Sequence, residues 1–188
     1  MRWSELLNLP NILSLSRPII LLPLIALVLL WFNWIFIGAI LYILGVVTDY
    51  LDGRLARKNG NVTVTGKLLD PMADKLFFDL MPFFFYHRLS DFLQYLFVAA
   101  YLPLECLLFL GGLYAWFSPS QNIFPVGANQ GGKWKTASIV IFTILLFVNK
   151  LVMPVSEEYL TAILGSATGF ALMSFVKHIN MEKLKKVI

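Results

Sequence analysis

Composition places this 188-residue chain among integral membrane proteins. Hydrophobic residues make up 59% of it and charged residues 14%, and the mean hydropathy is +0.75. A water-soluble domain of this size has less apolar surface, so a soluble enzyme is excluded and, despite the net charge of +4, no nucleic-acid partner is expected. The single cysteine, Cys106, lies in an apolar run, so no framework of intrachain disulfides is available.

An amphipathic start followed by six apolar segments is predicted along the chain. Polar and apolar side chains alternate in residues 1–16, which favours a short helix in the membrane interface, broken at Pro10. The apolar segments cover residues 18–32, 34–48, 68–86, 92–117, 134–153 and 158–176, and the first two are extended by polar residues 11–17 and 49–57. We therefore expect one all-α membrane domain over 1–188, with the interfacial helix 1–16, a bundle of six transmembrane helices over 17–178 and a basic tail over 179–188.

The distribution of basic residues predicts the orientation of these spans. If both termini and the loops after the second and fourth spans share one side, thirteen of the fifteen Lys and Arg residues lie there. Only Arg88 and Lys150 fall on the opposite side. Because basic residues concentrate on the cytoplasmic side of membrane proteins, both termini are predicted to be cytoplasmic.

Four aspartates flank the loop that joins the second and third spans. Asp49 and Asp52 are three residues apart, and Asp70 and Asp74 are four apart, so each pair shares a helical face. Four carboxylates converging at a membrane surface repel one another unless a cation compensates them. Oxygen ligands without a nearby His or Cys select a hard ion, so the sequence predicts Mg²⁺ or Mn²⁺, and the ligand number permits two ions.

Small residues and an arginine accompany the aspartates. Gly53, Ala56 and Gly66 leave room for a group to lie against the backbone, and Arg57 can bind a phosphate or a base edge with its planar fork. The stretch from Asp49 to Asp74 therefore favours a site for a metal-bound nucleotide diphosphate.

The eight positions form the pattern D-x2-D-G-x2-A-R-x8-G-x3-D-x3-D. This pattern resembles the signature of the CDP-alcohol phosphatidyltransferase family, in which an alcohol attacks a CDP-linked lipid and releases CMP. The resemblance implies that Asp49, Asp52 and Asp70 bind two Mg²⁺ ions, with Asp74 near the metals and acting as general base. It also implies that the CDP moiety is held by Asp52, Gly53, Ala56, Arg57 and Gly66.

Further segments resemble the phosphatidylglycerophosphate synthases and their cardiolipin synthase relatives. These segments are the start 8–17, ending in Arg17, the run Asp70-Pro71-Met72-Ala73-Asp74-Lys75, and Gly132-Lys133-Trp134-Lys135-Thr136. The resemblance implies CDP-diacylglycerol as donor and an anionic alcohol, glycerol 3-phosphate, as acceptor. Lys133 and Lys135 would attract its phosphate.

One position departs from that pattern. Leu104 precedes Glu105, where phosphatidylglycerophosphate synthases usually have arginine. Glu105 should face the bundle interior and pair with Arg17 or Lys135. These three residues, together with Lys133, form the predicted acceptor site. Asp79 lies off the helical face of Asp74 and is given an interior, hydrogen-bonded role. Phosphatidylglycerol, inositol phosphate or another polar alcohol remains open as acceptor.

Two other classes of membrane protein share some of these sequence features. Intramembrane carboxylates also occur in cation transporters, but here the polar residues cluster at one face instead of lining a path through the bundle. A catalytically silent scaffold would not require all four aspartates. The resemblance further implies a homodimer in a bacterial inner membrane, with the active site facing the cytoplasm.

Overall fold

The computed structural model describes residues 9–58, 72–117 and 130–185, which form six helical segments. No strand occurs in these ranges. We number the helices α1 (residues 9–30), α2 (Ile35–Lys58), α3 (residues 72–88), α4 (residues 91–117), α5 (Gln130–Leu151) and α6 (Glu157–Lys185).

Four of the helical stretches are long and apolar enough to span a membrane. They are Ile12–Leu30, Asp91–Tyr114, Gln130–Leu151 and Glu157–Lys177. The apolar part of α2, Ile35–Leu51, is shorter. The expected all-helical membrane architecture is thus confirmed, while the count of six spans stays a prediction.

Several helix ends differ from the predicted boundaries. Residues 9–16 are continuous with the first span, and Pro10 lies in the first turn of the helix Leu9–Ser16, where its missing N–H is tolerated. Helix α6 runs to Lys185, so most of the predicted tail is helical. Helix α5 begins at Gln130, four residues before the predicted segment 134–153. Residues 118–129, in the loop before it, and residues 1–8 lie outside the described residues.

A tight turn at Asn33 joins α1 to α2. Asn33 has a φ of 54°, a left-handed conformation that asparagine tolerates better than most residues. Its side-chain oxygen accepts a hydrogen bond of 2.6 Å from Nη2 of Arg88, at the end of α3. This contact ties the ends of α1, α2 and α3 together.

Helix α3 contributes much of the core. Phe77, Phe78 and Met81 are buried, and the Phe77 ring stacks on Tyr42 of α2 with a centroid separation of 5.8 Å. A Cβ at Gly45 would lie only 2.4 Å from the Phe77 ring. The approach of α2 to α3 therefore depends on the absence of a side chain at Gly45.

Three π-helical turns interrupt the helices, and each has a proline within it or shortly after it. The turns are Arg17–Leu21 in α1, Lys75–Asp79 in α3 and Leu96–Tyr101 in α4, and the prolines are Pro18, Pro82 and Pro103. Proline has no N–H to donate to the carbonyl four residues earlier, so the hydrogen-bond ladder is already incomplete there and a wider turn costs less. Such turns often lie at functional sites, and here they include four polar residues described below.

The outer faces of the helices are apolar. Trp31, Tyr95 and Met173 are 83%, 71% and 63% exposed, and many aliphatic side chains are exposed with them. Such a surface would associate in water but suits hydrocarbon. Together with the apolar spans, it indicates an integral membrane protein.

Candidate active site

Arg17 brings together two of the predicted metal-binding aspartates. Its side chain is 1% exposed, and Nη1 donates hydrogen bonds to Oδ1 of Asp49 and, at 2.8 Å, to Oδ1 of Asp74. We call these three residues the Arg17 cluster. The cluster joins the π turn of α1, the middle of α2 and the start of α3. It therefore connects residues that are 32 and 57 positions from Arg17.

Among the described residues, the Arg17 cluster sets one guanidinium against two carboxylates. The Asp49 and Asp74 side chains are 36% and 28% exposed. The buried arginine therefore offsets part of the repulsion between the carboxylates, while both of them stay accessible from outside the bundle.

The structure thus shows that Asp49 and Asp74 converge from α2 and α3. Asp52, Gly53, Ala56 and Arg57 lie on the last two turns of α2, but their side chains are outside the described part of the structure. The same is true of Gly66 and Asp70, which precede α3. Their predicted roles in metal and CDP binding are untested by this structure.

The donors present suit a hard divalent ion. Two carboxylate oxygens, one from Asp49 and one from Asp74, already point at a common positive group. Within the described residues no group of three or more metal-binding side chains comes together, so further ligands would have to come from residues outside them. Asp52 and Asp70 are the residues that the signature supplies for this purpose.

A second polar cluster lies in the bundle beside the first. Nζ of Lys135 on α5 donates hydrogen bonds to Oε2 of Glu105 at 2.7 Å and to Oδ2 of Asp79 at 3.1 Å. The other oxygen of Asp79 accepts a hydrogen bond of 2.7 Å from the Tyr101 hydroxyl. Lys75 places its Nζ 3.6 Å from Oε2 of Glu105. We call these five residues the Lys135 cluster.

The Lys135 cluster balances its own charges. Two ammonium groups face two carboxylates, and Lys135, Asp79 and Glu105 are each at least 94% buried. Charges at this depth persist only when they are paired and hydrogen-bonded. Oε1 of Glu105 nevertheless has no hydrogen-bond partner among the described residues. A donor from outside them, such as a hydroxyl group, would satisfy it.

The predicted acceptor residues do not form one group: they belong to the Lys135 cluster, to the Arg17 cluster or to neither. Glu105 pairs with Lys135, as expected, whereas Arg17 lies against Asp49 and Asp74. Lys133 is exposed although it is only two residues from the buried Lys135, because residues two apart face different sides of a helix. The two lysines therefore do not act as one pair.

Sequence reasoning did not include Lys75 and Tyr101 in the site, and it gave Asp79 only an interior role. The interior role of Asp79 is confirmed by its hydrogen bonds to Lys135 and Tyr101. The sequence did contain an indication that Lys75 belongs to the site, since it follows Asp74 directly and is four residues before Asp79. Tyr101 lies in an apolar run, and no sequence pattern indicated its role.

The comparison with known families agrees with the geometry. A family model described as CDP-alcohol phosphatidyltransferase matches residues 7–174. That range includes every residue of the Arg17 and Lys135 clusters.

Curated relatives of this chain support the same family. A protein of Aquifex aeolicus named CDP-diacylglycerol--glycerol-3-phosphate 3-phosphatidyltransferase is 36% identical over 63% of this chain and 67% of its own length. One of the same name from Bacillus subtilis is 31% identical over 95% of this chain and 97% of its own. A cardiolipin synthase (CMP-forming) of Oryza sativa is 29% identical over 98% of this chain and 59% of its own. Other relatives with the first name match over only 42% or 39% of their length.

Proposed function

Because the chain belongs to the CDP-alcohol phosphatidyltransferase family, we propose that it transfers a phosphatidyl group from CDP-diacylglycerol to glycerol 3-phosphate. The products would be phosphatidylglycerol phosphate and CMP. The printed names of the Aquifex and Bacillus relatives support this acceptor. The structural observation on which the proposal rests is the meeting of Asp49 and Asp74 at one cationic group, beside a buried cluster that contains lysine.

The donor would bind at the Arg17 cluster and the adjoining end of α2. Asp49, Asp52, Asp70 and Asp74 would hold two Mg²⁺ or Mn²⁺ ions, which when bound supply positive charge for the diphosphate and for the leaving CMP. Gly53, Ala56 and Gly66 would leave space for the cytidine, and Arg57 would bind a phosphate or the base edge. These roles follow from the signature and from the convergence of Asp49 with Asp74.

Asp74 would act as the general base. The hydroxyl oxygen of the acceptor attacks the phosphorus of the phosphatidyl group, the bond from that phosphorus to CMP breaks, and the hydroxyl proton passes to the Asp74 carboxylate. Asp74 suits this role because its side chain is 28% exposed and a buried arginine holds it in place. Arg17 would thus orient the base.

The acceptor would lie between the two clusters. Glu105 and Lys135 would form the inner wall of its pocket, Lys133 the entrance and Arg17 the side facing the donor. The unsatisfied Oε1 of Glu105 supports this placement because a hydroxyl of a polyol would satisfy it. Asp74 and Lys75 are neighbours in the chain, which puts the base next to this pocket.

The finer architecture is proposed together with the reaction. We propose six spans, with α2 and α3 crossing alongside the four long apolar helices, and both termini in the cytoplasm. The active site would then open to the cytoplasm of a bacterium, at its inner membrane. Assembly as a homodimer is proposed from the family alone.

Purified protein in detergent should release CMP from CDP-diacylglycerol when glycerol 3-phosphate and Mg²⁺ are supplied. Parallel reactions should contain phosphatidylglycerol, inositol phosphate, serine or no alcohol, and another set should contain EDTA. CMP release only with glycerol 3-phosphate and a divalent ion supports the proposal. If none of the alcohols supports release, the proposed reaction is wrong, and full activity in EDTA would refute the metal requirement.

A cardiolipin synthase reaction is the second candidate. The Oryza sativa relative, which matches nearly all of this chain, is named for that activity. Leu104, which stands where an arginine usually precedes Glu105, also provides no ligand for the doubly charged phosphate of glycerol 3-phosphate. Release of CMP with phosphatidylglycerol, but not with glycerol 3-phosphate, would favour this candidate.

A further inference from the structure

Three lysines surround the proposed acceptor pocket, and their contacts differ. Lys135 is 4% exposed and donates to two carboxylates at 2.7 and 3.1 Å. Lys75 is 21% exposed, and its nearest carboxylate oxygen among the described residues is 3.6 Å away, beyond the length of a normal hydrogen bond. Lys133 lies on an exposed face of α5.

These contacts decide which ammonium can move to a ligand. Turning Lys135 away would break two hydrogen bonds to buried carboxylates and remove the cation that faces Asp79 among the described residues. Turning Lys75 away would break, among the same residues, only one long ion pair. Glu105 would still be paired, because Lys135 donates to the same oxygen at 2.7 Å.

The position of Lys75 in the chain also favours a ligand-binding role. It follows Asp74 directly and is the first residue of the π turn Lys75–Asp79. Its side chain therefore starts from the same end of α3 as the proposed base. An acceptor that presents a hydroxyl to Asp74 would have its other end within the region that a flexible four-carbon side chain sweeps.

We propose that Lys75 is the residue that recognises the negative charge of the acceptor, exchanging its contact with Glu105 for the acceptor phosphate, while Lys135 is a structural cation that keeps Glu105 and Asp79 in place. This inference rests on the proposed function, since it assumes an anionic acceptor. It differs from the prediction based on sequence, which gave the phosphate contact to Lys133 and Lys135.

The test compares Lys75→Gln and Lys75→Arg with wild type in the CMP-release assay, with glycerol 3-phosphate as the varied substrate. Loss of one charge-assisted contact to phosphate should raise the KM for glycerol 3-phosphate about 10- to 100-fold. The kcat and the KM for CDP-diacylglycerol should change by less than about threefold. Lys75→Arg should recover much of the lost affinity because it restores the charge. Lys150→Gln, at the far end of α5, is the matched control.

A binding measurement complements the kinetics. Stabilisation of the detergent-solubilised protein by glycerol 3-phosphate, and by inorganic phosphate, should be reduced in Lys75→Gln and unchanged in Lys150→Gln. An unaltered KM and unaltered stabilisation in Lys75→Gln would refute the role of Lys75 while leaving the proposed reaction intact. Equal losses of kcat for every acceptor would indicate a structural role instead. If wild-type protein uses only uncharged alcohols, both the acceptor assignment and this inference are wrong.

Discussion

Replacing Arg17 with methionine tests the electrostatic account of the active site most directly. The substitution removes a buried guanidinium and leaves the carboxylates of Asp49 and Asp74 facing each other without it. Breaking a fully buried ion pair costs about 3 to 5 kcal/mol. The two carboxylates here are 36% and 28% exposed, so water compensates them in part, and we expect a loss of about 2 kcal/mol in the absence of divalent ions.

For a protein of this size, a loss of about 2 kcal/mol corresponds to a fall of about 4 to 8 °C in the midpoint of thermal unfolding. The measurement is unfolding of both proteins in detergent with EDTA, followed by retention of the monodisperse peak on size exclusion. Lys150→Met is the control, because Lys150 is an exposed cation at the end of α5, away from the Arg17 cluster. Its midpoint should change little.

Divalent ions should then bind the two proteins with different affinities. In wild type, the buried guanidinium repels an ion that approaches Asp49 and Asp74, whereas in Arg17→Met this repulsion is absent. If the repulsion costs about 2 kcal/mol, Mn²⁺ should bind the variant about 30-fold more tightly. Electron paramagnetic resonance of free Mn²⁺ measures this without reference to activity. Weaker or equal Mn²⁺ binding by Arg17→Met would refute the reasoning.

Three further predictions follow from the packing and the two clusters. Gly45→Ala should lower stability by about 1 to 3 kcal/mol, because its Cβ would meet a buried phenylalanine ring at 2.4 Å, whereas Gly112→Ala, which meets nothing within 4 Å, should be neutral or stabilising in thermal unfolding. Lys135→Met should lower the free energy of unfolding by about 3 to 5 kcal/mol, and adding Asp79→Asn should recover part of that loss. If the double variant is no more stable than Lys135→Met in unfolding assays, the pairing is contradicted. Asp74→Asn should abolish CMP release while retaining CDP-diacylglycerol binding, and persisting turnover would remove it from the role of base.

The sequence alone determined the class of protein, most helix positions and the family. Hydropathy is a local property, so apolar runs predict spans without knowledge of their neighbours. The spacings of Asp49 from Asp52 and of Asp70 from Asp74 are also local features. The signature that contains these four residues is that of one family, whose model matches the chain. For the same reason, the extension of α2 through Asp49 to Lys58 was predictable.

Only the tertiary structure decided which charges meet. Arg17 could have paired with Glu105, but the packing of α1 against α2 and α3 places it between Asp49 and Asp74. Lys135 is equally basic whether it faces a ligand or the interior, and its burial between Asp79 and Glu105 follows from how α3, α4 and α5 pack. An ion pair between distant segments depends on helix rotation and on proline-associated π turns, which no local pattern specifies.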